Sequence, residues 1–373
     1  MPVTPAASRN LLVTGATGFL GSAVAAELLE NHPGVTPLFL VRAADAAQGL
    51  ARLRDALAKL GVPQARQNAL TPDHVLLGDL KGFARNADDP RVAALHGIIN
   101  CAAFASFAWK PDIWEINVEH TSVFARAAAA LPQLTRFVHV GTAMISGSAA
   151  DCVVQEDEVL DRRRQLVPYT RSKAEIEYRL PQWLDGDRLV IARPSIVVGH
   201  TRAGCTPSPS IFWFFRLIQA AGRVPFSPDI RVDIVPVDYC ARALVHLALM
   251  SAPRAARYHI SAGDQRACSF EAINHAYSAI KNVPATPLKA IDPDDLDQVK
   301  DTLAQSFGRE GIERIMGAIR IYLEFASLDV RFENRRLLAE GMPPPPAFTD
   351  YLAECIRTGE NDTITEQMKF DFR

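Results

Sequence analysis

The chain has almost no net charge: 40 Lys and Arg against 42 Asp and Glu leave -2 over 373 residues. That balance gives no electrostatic ground for nucleic acid or an anionic membrane surface as a partner. Cysteine is sparse. The six, at positions 101, 152, 205, 240, 268 and 355, make no C-x-x-C and no Cys/His ligand spacing. They read as reduced, mostly packed thiols rather than a disulfide framework or zinc ligands, and no metal is expected. No apolar run reaches membrane-spanning length, and the first ten residues lack the basic and apolar regions of a signal peptide. A cytoplasmic protein without membrane insertion is the expectation. Low complexity is confined to the alanines around 127 to 130 and the prolines at 343 to 346, the latter a short rigid connector.

What is present is alternation. Apolar runs at Leu11 to Thr14, Leu38 to Val41, His74 to Leu77, Gly97 to Asn100, Phe137 to Val140, Leu189 to Ala192 and Arg257 to Ile260 are separated by helical stretches. Strand and helix in turn predict an α/β fold with a doubly wound parallel Rossmann sheet. The pattern loosens after Gly199 into an excursion at about 200–231 that holds Phe212-Trp213-Phe214-Phe215, with two readings, the lining of an acyl channel and, preferred, a packed lobe interface. The chain then returns at Arg231 to Val237, and Asp238 is placed to cap the next helix. Residues 8–265 are thus expected to form a dinucleotide-binding domain, and 266–373 a smaller, mostly helical substrate lobe.

The first strand runs into Gly15-Ala16-Thr17-Gly18-Phe19-Leu20-Gly21 and then an Ala-rich helical segment. Three glycines at three-residue spacing allow a tight turn, close approach to a pyrophosphate and packing of helix on strand. The helix N-terminus supplies free N–H groups there. About 20 residues on, where an NAD enzyme usually places a carboxylate for the ribose, the second strand ends in Arg42. A guanidinium matches a 2′-phosphate, so the cofactor reading is NADPH. Arg52 and Arg54 follow in helical sequence, either able to swing toward that phosphate.

Tyr169 and Lys173 are four apart on a helical stretch and share a face. A phenol beside an ammonium is a general acid in waiting, its reference pKa near 10 lowered by the neighbouring charge. Thr142 follows a strand at the sheet edge where open α/β folds bind ligands, and its hydroxyl can donate to the same substrate oxygen. His139, inside that strand, reads as a packed histidine. Asp79 with Leu80 follows the third strand, where the Asp can meet the adenine amino group or close a turn. Cys101-Ala102-Ala103 follows the fourth, small enough for close cofactor approach. Pro194-Ser195-Ile196 follows the sixth, near a nicotinamide carboxamide. Asn117 reads as a backbone-bonding residue near the site. Arg162-Arg163-Arg164 reads as a solvated loop in preference to a contact for an acidic carrier protein or coenzyme A phosphates.

Together these residues carry a resemblance. Thr14 to Gly21, Gly78-Asp79-Leu80, Asn117-Val118, Tyr169-x-x-x-Lys173 and Arg193-Pro194-Ser195 resemble the extended short-chain dehydrogenase/reductase superfamily. Leu40-Val41-Arg42-Ala43 and Phe137 to Ala143 resemble more closely the thioester reductase domains of carboxylic acid reductases and nonribosomal peptide synthetases, and fatty acyl-CoA reductases. The resemblance implies Thr142, Tyr169 and Lys173 as catalytic residues, with Gly141 standing where those proteins have Ser. It covers roughly 8–265 and continues only loosely at Phe332-Glu333-Asn334 and Ala347 to Leu352. It implies hydride transfer from NADPH to an acyl thioester, with release of an aldehyde or alcohol. The acyl group would arrive on coenzyme A or a separate carrier protein, because no carrier segment is recognised in the sequence. A carbonyl reductase or sugar-nucleotide epimerase or dehydratase on the same fold, or a non-catalytic NADPH sensor, are the alternatives.

Overall fold

The structure is a computed structural model describing residues 9–107, 109–158, 165–292, 295, 299–307 and 312–371; the arginines at 162 to 164 lie outside the described residues. Seven parallel strands make the central sheet: β1 Arg9–Thr14, β2 Val35–Val41, β3 Val75–Leu77, β4 Gly97–Asn100, β5 Arg136–Val140, β6 Leu189–Pro194 and β7 Arg257–Ile260. Their order is β7-β6-β5-β4-β1-β2-β3. The direction of winding reverses between β1 and β4, and that switch point opens a crevice beyond the strands' carboxyl ends.

Both faces of this sheet are covered, which is why its strands read as unbroken apolar runs. Side chains alternate sides along each strand. Leu11, Val13, Phe39, Val41 and Ile99 pack beneath helices α1 (Phe19–Asn31), α2 (Ala46–Lys59) and Val237–Leu249. Leu12, Leu38, Leu40, Ile98 and Phe137 pack against Thr121–Ala129 and α3 (Pro168–Arg179). A separate core belongs to the lobe. There Phe212, Trp213, Phe214 and Phe215 meet Phe270, Ile315, Tyr322, Phe348 and Leu352, drawn from the excursion and from the C-terminal third.

Two local expectations are corrected. Arg231 to Val237 does not rejoin the sheet as one strand. Arg231–Val232 pairs antiparallel with Cys268–Ser269, and Ile234–Val235 pairs parallel with Ile196–Val197. Asp233 breaks the run: it is buried, and its carboxylate accepts from the backbone N–H of Ala262 at 2.7 Å and Phe332 at 3.1 Å. Asp238 is not a cap. Pro236 precedes the Val237–Leu249 helix, and Asp238 in its first turn accepts from the N–H and hydroxyl of Thr201, pinning the start of the excursion.

Candidate active site

The glycine turn is built by exclusion of side chains. Gly15 has φ +68, and a Cβ there would stand 2.9 Å from the backbone nitrogen of Ala102. A Cβ on Gly21 would stand 2.1 Å from the Gly15 carbonyl oxygen. Strand, turn and α1 therefore meet backbone to backbone. The first N–H groups of α1 have no intrahelical acceptor, and Phe19 and Leu20 face the crevice. Below the turn, Thr14 Oγ1 donates to Asn100 Oδ1 at 2.6 Å and accepts from Ala102 N at 3.1 Å, while the Asn100 amide reaches His139 Nδ1 at 3.2 Å. Burial, with the nearby Lys173 charge, keeps His139 well below its ordinary pKa, so it is a neutral member of this buried network.

At the end of β2, Arg42 is exposed and borders the crevice. Arg52 borders it too, its guanidinium donating to the Arg42 carbonyl. Arg54 is turned away, as its guanidinium donates to the carbonyls of Gln67 at 3.1 Å and Leu70 at 2.7 Å. Asp79 closes a turn by accepting from Gly82 N at 2.7 Å and still borders the crevice.

Tyr169 and Lys173 lie on α3, which Pro168 opens at a position where its missing N–H costs nothing. Lys173 is buried, and its Nζ donates to the Val140 carbonyl at 2.7 Å. Burial lowers it to about 8, opposed by the Glu177 carboxylate. Tyr169 departs from the sequence expectation. Burial pushes its phenol up to about 12, and the Lys173 ammonium stands 5.9 Å from its ring centre. Thr142 lies just past the end of β5; its Oγ1 accepts from Met144 N at 3.3 Å and sits 3.5 Å from the Pro194 carbonyl.

All of Gly15, Thr17, Gly18, Phe19, Leu20, Gly21, Arg42, Arg52, Asp79, Leu80, Cys101, Ala102, Ala103, Thr142, Tyr169, Lys173, Pro194, Ser195 and Ile196 line one cavity of about 1000 Å³. Asn117 does not. It is buried one layer back, where its amide brackets both backbone groups of Phe104 and donates to Ser172 Oγ at 3.0 Å, holding the 101–107 loop to α3.

The same cavity extends past Tyr169 along rings that no local motif signals. Phe107 lies 6.2 Å from Tyr169, 5.1 Å from Tyr322 and 5.0 Å from Phe325; Tyr322 lies 5.8 Å from Phe214, and Phe214 lies 6.3 Å from Phe270. Phe214 and Phe215 thus serve the lobe core and line the cavity at once, whereas Phe212 and Trp213 are purely packed. Their aromatic run was the one available sequence signal.

A glycine cradle, paired arginines and a Tyr–Lys helix at a Rossmann switch point suit a dinucleotide-dependent reductase, and comparison with known proteins bears on that. The family model described as male sterility protein, an NAD-binding family, matches residues 13–244. The chain belongs to this family. Its members and relatives are NAD(P)-dependent reductases of the extended short-chain dehydrogenase/reductase type. The chain is 31% identical over 271 residues to the aldehyde reductase lnaA of Aspergillus flavus, covering 67% of this chain and 25% of that protein. It is 29% identical over 265 residues to the nonribosomal peptide synthetase FrzA of Cladobotryum sp, covering 67% and 26%. The chain spans about a quarter of the length of these two relatives. In fold it is similar to the terminal R domain of the myxalamid PKS-NRPS pathway, with a TM-score of 0.75 at 19% identity, covering 96% of this chain and 92% of that one. Among the described residues, no helix of this family member is long and apolar enough to cross a membrane.

Proposed function

We propose that the protein is an NADPH-dependent reductase of acyl thioesters. The observation that carries the reading is a single cavity joining the glycine cradle, Arg42 and Arg52, the Thr142, Tyr169 and Lys173 group and a ring-lined apolar chamber. The residues present fit the cofactor: the space a Cβ would fill at Gly15 and Gly21 is backbone contact, α1 offers unspent N–H groups, and the Arg42 and Arg52 guanidinia border the cavity and are suited to a 2′-phosphate. When bound, the cofactor supplies a hydride to the acyl carbonyl carbon. Tyr169, kept protonated by burial, gives its proton to the carbonyl oxygen, and Thr142 donates a hydrogen bond to that oxygen. The resulting hemithioacetal breaks its C–S bond, releasing a thiol and an aldehyde, which a second round would take to the alcohol. Lys173 positions Tyr169 and the end of β5.

In this reading residues 8–265 hold cofactor and catalytic groups, while 266–373 with the 200–231 excursion shape the acyl chamber. The thioester is carried by coenzyme A or by a carrier protein, and the six unpaired thiols suit a reducing cytoplasm. The relatives' names, an aldehyde reductase and a nonribosomal peptide synthetase, support the substrate class. Purified protein with NADPH should release free thiol, read with a thiol-reactive dye, in step with the first hydride transferred from acyl-coenzyme A or a carrier-bound acyl group. NADPH oxidation with simple aldehydes or ketones and no thiol from any acyl donor would replace this reading with a carbonyl reductase.

Cofactor choice gives a separate expectation. NADPH should bind at least about tenfold more tightly than NADH, and Arg42→Ala should remove most of the difference, since a charged hydrogen-bond pair contributes about 1.5–3 kcal/mol. Titration of both cofactors into both proteins checks it, and equal affinities in the unmutated protein refute it.

A further inference from the structure

Glu177 has no part in the reading above, yet the residues around it converge. Tyr169, Lys173 and Glu177 recur every four residues along α3 and share one face. Glu177 is 5% exposed and Arg193, on β6, is 4% exposed. Glu177 Oε2 accepts from Arg193 Nε at 3.0 Å and Nη2 at 2.8 Å. Oε1 is buried without a hydrogen-bond partner and lies 2.2 Å from where a Cβ on Gly141 would stand. The carboxylate therefore fills the space that any side chain at 141 would need. Gly141 sits between Val140, whose carbonyl receives Lys173, and Thr142; Arg193 immediately precedes Pro194, whose carbonyl lies 3.5 Å from the Thr142 hydroxyl.

We propose that the Glu177–Arg193 pair is a positioning unit for the reaction, in which Glu177 seats against Gly141 and sets its negative charge behind the Lys173 ammonium while Arg193 fixes it to β6. This rests on the assignment of Lys173 to the catalytic group. Among the described residues, the titratable groups around the pair and Lys173 include Tyr169 on the same helix, Cys101 beyond β4, His139 on β5 and Arg193 on β6. Burial holds Tyr169 and Cys101 near 12 and His139 well below its usual range. All three are neutral at working pH, which leaves the Glu177 carboxylate, itself held by Arg193, as the charge that balances Lys173. The Glu177 carboxylate opposes the burial that lowers Lys173 to about 8.

The sign follows. Glu177→Gln removes the favourable charge and leaves Arg193 uncompensated, so Lys173 loses its proton at lower pH. Competitive labelling of Lys173 with an acetylating reagent, run on the cofactor-free protein across pH, should show its midpoint falling by at least about one unit, tenfold in the protonation ratio. The alkaline limb of the pH–rate profile should move with it. Glu177→Gln with Arg193→Met removes both charges and should recover at least half of that shift, which a purely structural loss would not. The steric half is tested by Gly141→Ser, expected to lower turnover at least about tenfold in the wild-type background but much less in Glu177→Ala. An unmoved labelling midpoint in folded Glu177→Gln overturns the charge role, and equal costs of Gly141→Ser in both backgrounds overturn the seat. Should Glu177→Gln fail to fold, Glu177→Asp, whose shorter carboxylate withdraws from Lys173, must lower the midpoint, and an unchanged value is equally fatal. Labelling needs no thioester turnover, so failure of the substrate assignment would leave this result readable.

Discussion

Tyr169→Phe should lower turnover by about 10²- to 10⁴-fold while leaving the NADPH dissociation constant within a few fold. General acid catalysis by a positioned side chain has about that size. The substitution removes only the phenolic oxygen and keeps the ring that packs near Phe107. Protonation state favours this role. A reductase needs its acid to hold a proton until hydride arrives, and burial secures that by raising Tyr169 to about 12. The cofactor's expected contacts lie elsewhere, on the glycine turn and the arginines after β2, so its affinity has no reason to follow. Lys173→Ala is the contrasting case. Its Nζ donates to the Val140 carbonyl and spans α3 and β5, so both rate and cofactor affinity should suffer. Stopped-flow hydride transfer and equilibrium NADPH titration on each variant measure the two quantities separately. A Tyr169→Phe protein retaining more than about a tenth of the rate would remove this residue from the chemistry.

The sheet and the glycine-turn side of the candidate site were legible in sequence because their determinants are local. Gly97–Asn100 and Arg257–Ile260 coincide with their apolar runs, and the turn from Gly15 to Gly21 follows its strand directly. Errors fell where neighbours distant in sequence decide. Arg52 and Arg54 are equivalent by composition, but Gln67 and Leu70 capture Arg54. Asn117 bonds backbone as its sequence reading had it, but only its partners, the backbone of Phe104 and the hydroxyl of Ser172, set it one layer behind the cavity. The pairing of Tyr169 with Lys173 was readable from spacing, whereas the direction of the Tyr169 shift was not, because it is set by burial, which the spacing does not report. The substrate half was nearly silent. Tyr322 and Phe325 reach Phe107 from the opposite end of the chain, and no motif within their helix marks such a contact in advance.

Gly21→Ala is expected to be the most damaging single-methyl change in the cofactor cradle. The added Cβ would stand 2.1 Å from the Gly15 carbonyl oxygen and 2.5 Å from its carbon, both backbone atoms that cannot rotate away. Nor can Gly15 retreat, since its own Cα face is packed against Cys101 and Ala102, with a Cβ position only 2.9 Å from Ala102 N. The helix must therefore move off the strand, and overpacking of this kind costs about 1–3 kcal/mol in stability. Displacing α1 also carries its N-terminal amides away from the pyrophosphate position, so NADPH affinity should fall by at least about tenfold, beyond what the lower melting temperature alone explains. Gly18→Ala supplies the control. The nearest atom to a Cβ there is the Gly15 oxygen at 3.3 Å, a contact that a shift of a few tenths of an ångström relieves, so its melting temperature should stay close to wild type. Thermal unfolding and NADPH titration on the two variants decide the matter: a Gly21→Ala protein as stable as Gly18→Ala, binding NADPH like the wild type, would mean that the turn does not hold the cofactor through close helix–strand packing.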